Sequence, residues 1–154
     1  MKKSTIIIAS IITVLLALTA VLATAHSATR TEVPEGALLV SCGGKDSYIA
    51  LKDIPLTSVQ GTVVNGKGEV SKIDTKGAAV ADVLKQAGLD PRNAQTLKVT
   101  AADEYSAELS GAEINETGKA YLIGDDAGMK LVVFGDDNAK RNVRDVEKFE
   151  IVEK

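Results

Sequence analysis

A chain of 154 residues leaves roughly 115–120 for folding once its apolar N-terminus is set aside, which is room for one hydrophobic core. Aromatic residues make up 3%, tryptophan is absent and the net charge is −3, so stacking platforms are scarce, no basic surface is concentrated and a nucleic-acid partner is argued against. One cysteine, Cys42, and one histidine, His26, exclude an intrachain disulfide and any His/Cys cluster for zinc, haem or iron–sulfur ligation.

Met1-Lys2-Lys3 precedes an uncharged run from Ser4 to Ala25, rich in Ile, Leu, Val and Ala, which reads as an export signal. As a helix rising about 1.5 Å per residue it covers roughly 33 Å, enough to cross a hydrocarbon core of about 30 Å. The basic start keeps the N-terminus cytoplasmic and sends the rest of the chain outside. Ala23-Thr24-Ala25 also fits the small-x-small rule of signal peptidase. Two outcomes therefore stay open: a single-pass anchor in the cell membrane through residues 4–25, or secretion after cleavage behind Ala25. Residues 1–25 are the signal or anchor, 26–36 a polar tether with Pro34 and Gly36, and 37–154 the domain.

Ala37 to Val40 and Ser47 to Leu51 read as strands around the turn Gly43-Gly44-Lys45-Asp46. Ser58 to Val64 and Glu69 to Ile73 form a second pair about Asn65-Gly66-Lys67-Gly68, where Asn-Gly tolerates positive φ angles. From Ala78 to Ala87 the period changes to about 3.6, with Val80, Val83, Leu84 and Ala87 on one face; Gly88 stops the helix and Pro91 prevents its resumption. Thr96 to Ala101 and Tyr105 to Leu109 are strands, and Ser110-Gly111-Ala112-Glu113 fits a capping box opening a brief helix that Thr117-Gly118 ends. Ala120 to Ile123 and Lys130 to Phe134 form a hairpin, and Val143 to Val152 closes the chain as a strand. Seven to nine short strands, one firm helix and one minor helix make an α+β class that is mostly β.

The order of these pieces carries a family resemblance. Gly77 to Leu89 (GAAVADVLKQAGL) resembles the "G-v-p-L-x-d-L-L-x-x-a-G" helix of the molybdopterin-binding domain of sulfite-oxidase-type oxidoreductases. Residues 94–106 (AQTLKVTAADEYS) are similar to that family's "A-x-x-v-x-x-x-a-x-D-g-Y" strand and turn, and Gly128 to Val152 to its "G-x-P-L-R-l-v-v-P-g" ending. The resemblance covers most of the domain and implies a sulfite-oxidase-like fold.

In that family a cysteine thiolate in the loop after an early strand holds molybdenum, with an asparagine and an arginine nearby. The matching stretch here, Val59 to Gly68, has no cysteine, and hydroxyl or glycine cannot replace a soft thiolate. Pro-Leu-Arg has become Met129-Lys130-Leu131, and the histidine often found before it is missing, with Ala127 in that neighbourhood. The resemblance thus implies a vestigial cleft whose candidate residues are Gln60, Thr62, Asn65, Lys67, Asp103, Tyr105 and Lys130, with no catalytic residue and no metal ligand. Asp103 and Glu104 could act as paired carboxylates, but as sequence neighbours on a strand they would point to opposite faces.

Cys42 reads as a free thiol, since Leu39-Val40-Ser41-Cys42 lies too far beyond the apolar run for a lipobox. Asp125-Asp126 and Asp136-Asp137-Asn138 place oxygen side chains in two turns, without a calcium-loop spacing. Three functions follow as expectations: a non-catalytic extracytoplasmic module that meets a redox protein or a small ligand; an oxidoreductase or subunit that binds molybdopterin in an altered way; and an envelope structural or adhesion domain.

Overall fold

The computed structural model describes residues 33–125 and 128–154; the expected export or anchor segment, the expected cleavage position behind Ala25, His26, Asp126 and Ala127 lie outside the described residues. Among the described residues no helix is long and apolar enough to cross a membrane. Val33–Lys154 forms one compact unit. The chain enters it through a turn in which the Ala37 N–H donates to Pro34 O, and Gly36 takes a φ of 73°.

The strands are β1 (Ala37–Cys42), β2 (Lys45–Ala50), β3 (Thr57–Val64), β4 (Val70–Ala79), β5 (Ala94–Ala101), β6 (Ser106–Ser110), β7 (Ala120–Asp125), β8 (Gly128–Val133) and β9 (Val146–Glu153). The helices are α1 (Val80–Gln86) and α2 (Gly111–Asn115). A five-stranded sheet runs β2-β1-β9-β5-β6, its β1–β9 pair parallel and the others antiparallel. A four-stranded antiparallel sheet runs β3-β4-β7-β8. The architecture is a compact, mostly β domain with few helices.

Local chemistry accounts for most boundaries and corrects several. The first turn is tighter than the sequence suggests: Gly43 and Gly44 alone form it, at φ 57° and 77°, and Lys45 and Asp46 already belong to β2. In the second hairpin the positive φ falls on Gly68, at 82°, rather than on Asn65-Gly66. Beyond the Val64–Val70 pair the Asn65 N–H donates to Glu69 O, which leaves a three-residue turn, 66–68, closed by a left-handed glycine. The helical period from Ala78 overstates the helix, because Ala78 and Ala79 pair with Leu122 and Tyr121 as the end of β4. At its other end α1 closes as expected. Gly88 sits at φ 81°, its N–H donates to Lys85 O, and the Leu89 N–H reaches Leu84 O, satisfying carbonyls the helix leaves open. The capping box of α2 is present in full. The last strand starts at Val146 instead of Val143, whose carbonyl accepts from the Leu131 N–H.

The core lies between the sheets and is sealed by α1. It gathers Leu38, Val40 and Ile49 with Leu97, Val99, Phe149 and Ile151 from the larger sheet, Leu122, Leu131 and Val133 from the smaller one, and Val80, Val83 and Leu84 from the helix. No polar or charged residue is buried among the described residues. A second cluster sits on the opposite face of the smaller sheet: Val59, Val63, Ile123, Val132 and Phe134, flanked by Ile73 and Tyr121. The alternation of β8 and the turn residue after it, with Leu131 and Val133 to one side and Val132 and Phe134 to the other, divides the two clusters.

Candidate functional site

The stretch that the motifs align with the family's cofactor loop is the β3–β4 hairpin. Its turn is built by Asn65, whose Oδ1 accepts from the Lys67 and Glu69 N–H groups at 2.9 and 3.0 Å and whose Nδ2 donates to Glu69 Oε2 at 2.7 Å. Every polar atom of that side chain is engaged in holding the turn. Across the strands, Gln60 Nε2 donates to Asp74 Oδ2 at 3.0 Å. Val59, Gly61 and Val63 face the second cluster. A Cβ on Gly61 would stand 2.6 Å from the Phe134 ring, so the aromatic lies directly on the glycine backbone. The inner side of this hairpin is therefore filled by hydrocarbon.

Between β8 and β9 the chain crosses the hairpin's end as a strap, residues 135–142. Arg141 clamps it, donating from Nε to Asp136 Oδ2 at 2.7 Å and from its terminal nitrogens to Asp136 and to Glu113 of α2. Lys119 adds a 3.5 Å ion pair to Asp136, whose side chain is 10% exposed. Burial pushes the Glu113 carboxyl up, but hydrogen bonds from Ser110 and Arg141 outweigh it and hold the group at about 2. The Asp136 hydrogen bond, working against burial, raises Arg141 above its ordinary value. Tyr105 Oη donates to Lys140 O and ties the strap to the β5–β6 turn. In that turn Asp103 Oδ1 accepts from the Tyr105 N–H, and Glu104 takes a φ of 70°.

These contacts bring some of the expected site residues together and leave others apart. Asn65 and Lys67 line a shallow groove of about 570 Å³ against Asp137 and Lys140 of the strap, and Tyr105 donates to the carbonyl of that same Lys140. Gln60 and Thr62 belong to a separate hollow of about 380 Å³ with Lys72 and Asp74, on an exposed face. Asp103 serves its own turn. Lys130 lies half-buried in β8 opposite Ile123 and lines neither groove. Asp136 is committed to the clamp and Asp137 to Asn138, so the calcium reading of that turn has no free carboxylate pair; the Asp125 side chain lies outside the description.

Sequence reading missed the larger groove, about 820 Å³, bounded by α1, the Pro91 turn and α2, with Leu89, Pro91, Ile114 and Tyr121 among its walls. Its rim pairs Asp82 with Lys85 and Asp90 with Arg92. Residues so far apart in the chain give no local signal. The clamp was missed for the same reason, although the capping box singled out Glu113.

A molybdenum cofactor needs a soft donor, and the residues present do not fit one. The hairpin offers amide, hydroxyl and ammonium groups. Met129 is buried in the core at 5% exposure. Cys42 lies on β1 in the other sheet, in a cleft of about 420 Å³ with Val40, Leu89 and Glu153, which shares no residue with the hairpin grooves. Burial first, and then the charge and hydrogen bond of Glu153, raise the Cys42 thiol above its ordinary value. Among the described residues no group of three His, Cys, Asp or Glu side chains is placed to hold a metal ion.

No family model and no curated protein matches the chain. Among solved structures it is similar to the crystal structure of the sulfane dehydrogenase SoxCD from Paracoccus pantotrophus, with a TM-score of 0.63 at 14% sequence identity over 81% of this chain. The chain spans about 40% of the length of that one. At this identity the likeness is of fold alone. It establishes a distant structural relationship to a dehydrogenase and is consistent with the sulfite-oxidase-like fold that the motifs imply.

Proposed function

We propose that this chain is a non-catalytic binding or interaction module on a sulfite-oxidase-like scaffold, working outside the cytoplasm. The observation that carries the reading is the state of the β3–β4 hairpin. Where the family resemblance calls for a thiolate facing a cofactor, the chain has Gly61 under the Phe134 ring and an asparagine spent on its own turn. The chain's single thiol stands in another cleft, on the other sheet.

The likeness to a dehydrogenase supports descent from an oxidoreductase scaffold. The basic start and the apolar run from Ser4 to Ala25 support display at the outer face of a membrane, or release from it. The shallow, mixed-charge grooves of the β3–β4 hairpin suit contact with another protein better than enclosure of a flat organic cofactor.

The test is metal analysis of the full chain purified from cells that make molybdopterin. Molybdenum at background level, unchanged by Cys42→Ser, is the expected result. One molybdenum per chain would replace this reading with that of an altered molybdopterin enzyme.

A further inference from the structure

The hydrogen-bond directions of β3 expose an edge with a specific length. Thr62 O accepts from the Gly135 N–H at 3.4 Å and Val64 O from Asn142 Nδ2 at 3.5 Å, so both carbonyls point away from β4 and towards the strap. The next residue, Asn65, turns its N–H inward to Glu69 O. Because directions alternate along a strand, the N–H and C=O groups of Ser58 and Gln60 also face outward. Among the described residues they meet no partner, and both residues are exposed.

The chemistry of this edge differs from that of the others. From Leu56 to Val64 the sequence LTSVQGTVV holds no charge and no proline. β2 carries Lys45 and Asp46, β6 carries Glu108, and the outer side of β8 is covered where Leu131 donates to Val143 O. Charges and covers are the ordinary means of blocking strand addition, and β3 has only the strap, which reaches half of it.

We propose that β3 is a docking edge for a second copy of this chain, through antiparallel pairing centred on Val59, and that the strap sets its length. In that register Ser58 of one copy stands opposite Gln60 of the other, and the outward N–H and C=O groups of both residues are satisfied by the same groups in the partner. No longer register is available while the strap occupies Thr62 O and Val64 O. Opening the Arg141 clamp lengthens the edge and strengthens the pair. The two-fold register matches the outward groups of Ser58 and Gln60 with an identical set and sets no charge against another, which is the argument for a second copy as the occupant. This inference stands on β3 and the strap, independently of the cofactor argument.

Directly opposed, hydrogen-bonded residues lie about 5.5 Å apart at Cα, within disulfide range. In a Cys42→Ser background, an equal mixture of Ser58→Cys and Gln60→Cys full-length chains is expected to form the mixed disulfide on mild oxidation. A Ser58→Cys and Asp46→Cys mixture, joining β3 to the β2 edge, is expected to give far less. Equal yields from the two mixtures, or none from the first, would overturn the docking edge. Adding Arg141→Ala should raise the first yield about tenfold, corresponding to about 1.4 kcal/mol. Asn142→Ala, which frees Val64 O and spares every ion pair, should move it the same way. If both leave the yield unchanged, the strap does not limit the edge and that half of the proposal fails.

Discussion

The two faces of the smaller sheet bury apolar residues by different means. On the inner face β8 sends Leu131 and Val133 into a core closed by a second sheet and a helix, where neighbours from three elements exclude water together. On the outer face Val132 and Phe134 have the β3–β4 arm beneath them and a strap held by ion pairs beside them. The first region is stabilised by hydrophobic burial, which salt and moderate pH change leave intact. The second depends on a few charged hydrogen bonds and on one aromatic ring lying against one glycine. The difference teaches that the stretch aligned with the cofactor loop is also the part of the fold least supported by the core.

Four experiments break or sharpen that contrast. The largest effect is expected from Leu84→Asp, since the residue is 1% exposed and its pocket offers a carboxylate no partner. A loss of more than about 4 kcal/mol, seen as an unfolded circular dichroism spectrum, is predicted. Arg141→Ala removes the clamp but no core contact and should cost about 2 kcal/mol in chemical denaturation, leaving the spectrum of the sheets in place. Gly61→Ala forces the Phe134 ring to move and should cost about 1 kcal/mol, with the change confined to near-ultraviolet signals and to protection of β3 amides. Equal penalties for Leu84→Asp and Gly61→Ala would mean that the two faces are one cooperative core after all.

The smallest effect is expected from acid. Glu113 is held at about 2 against an ordinary 4.5, so its folded value is depressed. Its stabilising contribution is complete above about pH 4.5 and is lost as pH falls through about 2. The wild-type chain should therefore lose stability over that window, and a Glu113→Gln variant should lose less of it. Parallel curves for the two chains would show that the clamp does not depend on this carboxylate.

Much of the fold was legible because its signals are local. The Gly43-Gly44 and Asn65 turns, the 3.6-residue period through Val80, Val83 and Leu84, the glycine stop at Gly88 and the Ser110–Glu113 capping box each depend on residues a few positions apart. The absence of a thiol between Val59 and Gly68 was equally plain. What the residue order could not decide was where distant segments meet. Ala78 and Ala79 fit a helix period, yet the neighbouring strand β7 claimed them as sheet. Lys130 carried a family motif but lies apart from Asn65 and Lys67, whereas Arg141, without any motif, joins Asp136 to Glu113. Turns and periods are set by short-range sterics and hydrogen bonds, while clamps, grooves and free edges arise only when sheets pack and bring together side chains that the sequence keeps far apart.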